Sequence, residues 1–356
     1  MTKNFVKIML KRMCILFFLP FSSILLKLKK IIMMCFAFIF VQFCFCYSQK
    51  PKITQAQLLP SFTETQDGTQ AALIIEESAE IKKNEPENLD IFKKAYPDLQ
   101  FKSFYDSEKS DWKTEIYFPQ ETEPYIFYWC NGSFLPEAEF ENKGKYWSLL
   151  YSYPKELKDP EKMTEEEKAR LKEFSSRTNR RESLGTPMFF FEAIYKSKTR
   201  AELEENLTAS SFLGKKTNIH KRIVSPLKKV EEKIFESAKT NAEVKYFIDE
   251  LKSADSYNWR IIDGTSRKSF HSLGIAVDVL PKKIKGEIYW SWARDKNPNG
   301  WMLIPLSRRW LPPQKVVEIF ENEGFIWGGK WGIWDNMHFE YHPELILFNN
   351  IVEKQE

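Results

Sequence analysis

The chain of 356 residues holds only four histidines, and two of them stand beside acids in patterned surroundings. In Ser269-Phe270-His271-Ser272-Leu273-Gly274-Ile275-Ala276-Val277-Asp278, the residues Ile275, Val277 and Val279 alternate with Ala276, Asp278 and Leu280. That period of two predicts a strand entered through Gly274, with His271 just before it and Asp278 within it. A carboxylate in so apolar a strand needs a partner, because an unpaired buried charge is very costly. A metal ion is one such partner and an arginine is another.

The second pattern is Trp327-Gly328-Gly329-Lys330-Trp331-Gly332-Ile333-Trp334-Asp335-Asn336-Met337-His338-Phe339-Glu340. His338 and Phe339 read as the start of a strand, with Asp335 on the loop that feeds it. Three protein ligands and a water make an open catalytic zinc site, and neutral imidazole is a good ligand. His271, Asp278 and His338 supply such a set. Asp335 then remains to take a proton from water whose pKa zinc lowers to about 7. His342, followed by Pro343, reads as structural, and His220 is assigned no role.

Taken together, Ser-x-His-x-x-Gly-x-Ala-x-Asp, Trp-Gly-Gly-x-Trp and Asp-x-x-His-Phe-Glu resemble the D-alanyl-D-alanine carboxypeptidase (VanY-like) and L-alanyl-D-glutamate endopeptidase family of zinc peptidases. Both halves match in order, residue type and spacing, over roughly residues 220–345. The resemblance implies Zn2+ on His271, Asp278 and His338, Asp335 as catalytic base, and substrate contacts from Ser269 and an upstream arginine. Arg260 follows Tyr257 much as the family's Tyr-Arg pair does and is favoured, with Arg267 as the other candidate. These two stand eleven and four residues before His271, where many relatives have a longer insertion. The implied fold is the DD-peptidase/hedgehog-like zinc fold, a small antiparallel sheet with flanking helices. The implied substrates are peptidoglycan stem peptides. Carboxypeptidase members usually carry Glu where Asp335 stands, so the resemblance favours the L-alanyl-D-glutamate bond over the D-alanyl-D-alanine bond. The rival from another class is a non-catalytic cell-envelope binding protein with a structural zinc site.

Flanking positions predict the elements that carry these motifs. Ser225-Pro226 reads as an N-cap with proline at the first helical position, and Leu227, Val230 and Ile234 follow at helical spacing. Asn241 restarts the pattern with Val244, Phe247, Ile248 and Leu251. Pro312-Pro313 leads into Val316, Val317, Ile319 and Phe320, and Gly324 closes that helix before a strand from Phe325 to Trp327. Helices and strands mix without a repeating βαβ rhythm, so the fold class is α+β with an antiparallel sheet. Eight of the eleven Trp fall between Trp259 and Trp334. Core packing accounts for most of them, while Trp290, Trp292, Trp301 and Trp310 are candidates for a groove wall. Lys282, Lys283 and Lys285 read as a solvated face, open also to an anionic cell-wall polymer.

Upstream of this peptidase domain, assigned to residues 183–356, a β-rich region of unknown role is expected over residues 95–182. Its strands read as Leu99 to Phe104, Thr114 to Phe118, Tyr125 to Trp129 and Tyr146 to Tyr151, with Asn131-Gly132 as a turn. Thr164 and Glu167 form the capping box of a charged helix. Residues 49–94 have few aromatics and many polar residues, the composition of a poorly ordered linker.

Residues 1–48 read as an address. Lys29-Lys30 precede sixteen mostly apolar residues, Ile31 to Cys46, and then polar Ser48-Gln49-Lys50, the pattern of a secretory signal. A second apolar run, Cys14 to Leu26, allows a retained membrane anchor, and Cys44 or Cys46 allows a lipid anchor. All three fates place the protein outside the cytoplasm, in the periplasm or cell envelope. Four of the five cysteines lie in this leader, so Cys130 is left without a disulfide framework and reads as a small packed hydrophobe. The leader also holds seven of the 53 Lys/Arg and no acid, which leaves 46 bases against 49 acids, a balance of −3. Nucleic-acid binding, which needs a clustered basic footprint, has no electrostatic support.

Overall fold

The computed structural model describes residues 85–352 apart from 263, 264 and 266. The expected leader and most of the expected linker lie outside these residues. Among the described residues no helix is long and apolar enough to cross a membrane.

The chain opens with helix α1 (Leu89–Ala95), then strands β1 (Gln100–Asp106), β2 (Asp111–Tyr117) and β3 (Tyr125–Tyr128), which form an antiparallel three-stranded sheet in that order. Short helices α2 (Glu165–Phe174), α3 (Arg177–Glu182), α4 (Phe189–Ile194) and α5 (Arg200–Glu204) lead to a hairpin of β4 (Leu207–Phe212) and β5 (Lys215–His220). Helices α6 (Val224–Ala238) and α7 (Ala242–Glu250) run into β6 (Leu251–Asp255) and then β7 (Ala276–Pro281). After α8 (Trp290–Lys296) and α9 (Gln314–Asn322) come β8 (Phe325–Trp327), β9 (His338–Tyr341) and the closing helix α10 (Pro343–Val352). The last four strands form an antiparallel sheet in the order β6-β7-β9-β8. The molecule is thus α+β, with small antiparallel sheets between helices.

The four-stranded sheet is a core element because helices bury it. The stripe Leu227, Val230 and Ile234 of α6 is fully buried, as are Val316, Val317 and Phe320 of α9. The Phe320 ring stacks on Phe339 of β9 with centroids 3.9 Å apart. One continuous apolar cluster runs from Leu89 in α1 to Leu345 in α10, so the upstream helix shares its core with the sheet.

Local signals place most boundaries. Asn241 Oδ1 accepts from the amides of Glu243 and Val244 and starts α7. The Thr164–Glu167 capping box starts α2. Cys130, Asn131 and Gly132 take positive φ in succession and make the turn after β3. Two expectations fail. Helix α6 begins at Val224, so Ser225 and Pro226 sit inside its first turn, and the preceding turn is capped by His220 Nδ1, which accepts from Arg222 N. The stretch from Tyr146 to Tyr151 is not a strand. It makes a single bridge, Tyr146 to Gly185, and leaves Trp147 and Tyr151 exposed. Its residue types favour β structure, but no neighbouring strand completes a ladder.

Candidate metal centre

Antiparallel pairing places the two halves of the motif side by side. Asp278 in β7 lies directly opposite His338 in β9. His271 enters from a tight turn, Phe270–Leu273, whose N-cap is Ser269, its Oγ accepting from His271 N at 3.3 Å. Gly274 ends that turn at φ 67°, where a Cβ would stand 2.8 Å from Leu207 Cδ2 and 3.0 Å from His220 N. Only glycine fits both the left-handed backbone and this close approach to the hairpin.

The hydrogen bonds of the two rings set which nitrogens face inward. His271 Nδ1 donates to the Ser256 carbonyl at 2.6 Å, which leaves the Nε2 lone pair pointing at the site. His338 Nε2 donates to Glu340 Oε1 at 2.7 Å, which leaves Nδ1. His271 Nε2 lies 3.1 Å from both His338 Nδ1 and Asp278 Oδ1, and the latter two are 2.8 Å apart. The three donor atoms all lie within 4.8 Å of one another. Two lone pairs and a carboxylate oxygen converge on one point, and a cation is what such a set fits; imidazoles oriented from behind by a carbonyl and a carboxylate are how proteins hold metal ligands.

In the absence of a cation, the neighbouring charges act on one another. Burial alone would raise the Asp278 carboxyl, but His271 and His338 hold it well below the usual carboxylate range. Burial pushes His338 down, yet Glu340 and Asp278 carry it well above its ordinary value. Glu340, also opposed by burial, is drawn down to about 2 by His338 and His342.

Asp335 behaves differently. Burial, with the Asp278 charge second, pushes its carboxyl up to about 8, and its Oδ1 is buried with no hydrogen-bond partner. Its backbone is held by Asp335 N donating to Gly328 O at 3.0 Å, and a Cβ on Gly328 would come within 2.8 Å of Asp335 O. Asp335 thus stands apart from the three-donor set as a buried carboxyl with one oxygen free of hydrogen bonds.

The arginines are less committed. Arg260 is exposed, and its backbone is pinned by Ser272, whose Oγ accepts from Arg260 N at 2.8 Å and donates to Arg260 O at 2.7 Å. Arg267 is half-buried and donates through Nη2 to the Arg180 carbonyl at 3.2 Å. The groove-wall expectation fails for Trp290 and Trp301, which are buried in a second apolar cluster with Trp334; Trp292 is exposed and Trp310 half-buried. Cys130 is buried, and burial lifts its thiol to about 12, as suits a packed hydrophobe.

Sequence reading missed two partners of the ligands. The Ser256 carbonyl is a backbone group with no residue-type signal. Glu340 does have one: His338, Glu340 and His342 alternate, so all three lie on one side of the strand line.

The family model described as D-alanyl-D-alanine carboxypeptidase matches residues 263–341, and a domain of unknown function matches residues 88–161. The peptidoglycan L-alanyl-D-glutamate endopeptidase CwlK of Bacillus subtilis is 35% identical over 83 residues, 23% of this chain and 41% of that protein. The chain thus aligns with about two fifths of the length of this curated relative. No solved structure matches the chain significantly. The stretch that the carboxypeptidase model matches is the one in which both motifs meet at one point, and the chain resembles the D-alanyl-D-alanine carboxypeptidase and L-alanyl-D-glutamate endopeptidase family there.

Proposed function

We propose that the protein is an exported zinc peptidase that hydrolyses peptidoglycan stem peptides between L-alanine and D-glutamate, with residues 183–356 as its peptidase domain. The observation that carries this reading is the pairing of a convergent His271, Asp278 and His338 set with a buried, unpartnered Asp335 Oδ1 beside it. A zinc ion held by the three would polarise the scissile carbonyl and activate a water molecule. Asp335 accepts a proton at Oδ1, which has no other hydrogen-bond partner, and returns it to the leaving amine. Arg260, on the exposed approach to His271, binds a substrate carboxylate through its planar fork, with Arg267 as the alternative and Ser269 lining the same approach. A purely structural zinc site has no use for Asp335, which weighs against the non-catalytic reading.

Removal of terminal D-alanine is the second reading, favoured by the description of the matching family model. The Asp335-x-x-His338-Phe339-Glu340 form and the CwlK match favour the endopeptidase. Digesting purified peptidoglycan with the chain and weighing the products tests both. Release of L-alanine or alanine-terminated fragments, including from stems that lack terminal D-alanine, is the expected result. Free D-alanine from pentapeptide stems with no cut after L-alanine would assign the other bond.

A further inference from the structure

A buried polar chain runs away from His338 on the side opposite the three donors. Glu340 takes the His338 Nε2 proton on Oε1 and presents Oε2 to His342 Nε2 at 3.3 Å. That second link is an ion-pair contact and not a hydrogen bond. His342 Nδ1 donates to Glu344 Oε1 at 2.7 Å, and Tyr96 OH donates to Glu344 Oε2 at 2.7 Å. Glu340, His342, Glu344 and Tyr96 are all buried. The His342 ring is held edge-on by Phe270 and Phe191, with centroids 4.6 and 5.2 Å away, so water is kept from the links.

Each member limits the freedom of the next. Glu340 can orient the His338 ring only if its own carboxylate is held in place, and its second oxygen is drawn to the His342 ring across the 3.3 Å ion-pair contact. His342 in turn has its other nitrogen anchored by Glu344 at the start of α10. Glu344 has one oxygen left, and the group that meets it comes from Tyr96, the residue after α1, 248 positions away in sequence. Tyr96 lies within residues 88–161, the stretch matched by a domain of unknown function.

We propose that Tyr96, Glu344 and His342 are positioning residues for the metal ligand His338, and that the upstream region thereby completes the metal centre. The inference rests on the metal-site reading above. It gives residues 88–161 a role within the peptidase that their own surface does not indicate.

The test uses the full chain with Tyr96→Phe, Glu344→Gln and, as a packing control in the helix that Tyr96 follows, Phe92→Leu. Zinc affinity is read by competition with a chromophoric chelator, and the His338 ring by its imidazole 15N signals with and without zinc. Loss of a direct outer partner of a metal-bound histidine commonly weakens binding 10–100-fold, so Glu344→Gln and the more distant Tyr96→Phe should weaken it by roughly 3- to 10-fold. Both should shift the His338 ring signals, while Phe92→Leu lowers thermal stability and leaves affinity and ring signals as in wild type. Unchanged affinity and unchanged ring signals in both polar variants would overturn the proposal. An equal loss of affinity in Phe92→Leu would overturn it too, reducing the chain of contacts to general stability. Wild-type protein that binds no zinc while the ring signals still move in Tyr96→Phe would remove the metal reading and keep the orienting link.

Discussion

The two larger sheets use the same residue types for different ends. In β1-β2-β3 the strands are half-exposed, and the acids are occupied locally: Asp106 Oδ1 accepts from the amides of Glu108 and Lys109, Asp111 from Trp112 and Cys130, and Glu115 from Tyr117 OH. In β7 and β9 of the second sheet, His338 and Glu340 are buried, Asp278 is part-buried, and the three satisfy one another. Water makes a carboxylate cheap in the first sheet, whereas the second must surround each charge with built partners. A charged residue is therefore informative about chemistry where the strand around it is buried, and uninformative where it is not.

This contrast is open to direct attack. The largest effect belongs to the ligands: His271→Ala or His338→Ala should abolish stoichiometric zinc and turnover and lower thermal stability, since metal binding energy is partly folding energy. Full zinc occupancy in either variant, measured by elemental analysis, would sink the donor set. Next, Phe339→Ala should cost about 3–5 kcal/mol in urea unfolding, because Phe339, in the same strand as His338, is fully buried beneath Phe320. A loss under about 1 kcal/mol would show that the sheet does not anchor the core.

The third concerns a histidine that burial treats in the opposite way. His220 pairs with the Tyr195 carbonyl and the Arg222 amide and with no carboxylate among the described residues, and burial lowers its pKa from 6.5 to about 4. The folded state prefers it neutral, so its contribution is complete above the unfolded value of 6.5 and is lost as pH falls to about 4. At about 1.4 kcal/mol per pKa unit, that loss approaches about 3 kcal/mol. Urea unfolding of His220→Gln against wild type from pH 7 to 4 should show a shallower decline in the variant; parallel curves would contradict the assignment. The smallest effect is Glu115→Gln in the half-exposed sheet, expected within about 0.5 kcal/mol of wild type.

How much was legible follows from what is local. The convergence of His271, Asp278 and His338 could be read because their spacing lies within two short motifs, and β7 because apolar residues alternate there. Helix starts carried by a side chain, at Asn241 and Thr164, were readable for the same reason. The start of α6 was not, since its leading turn is capped by a histidine rather than by the serine that precedes the proline. Tyr146 to Tyr151 misled because strand propensity expresses a fit to neighbours that this stretch lacks. The link from Glu344 to Tyr96 could not be read at all: it joins residues 248 apart, and nothing near Tyr96 sets it off from other buried tyrosines.

The most direct test of the account is zinc content and turnover measured together on Asp335→Asn. The account predicts one zinc per chain, as in wild type, with hydrolysis of stem peptides reduced roughly 10²–10⁴-fold, the usual worth of a general base. Zinc lost along with activity would make Asp335 a ligand, and unchanged turnover would leave the site without its base; either result contradicts the account.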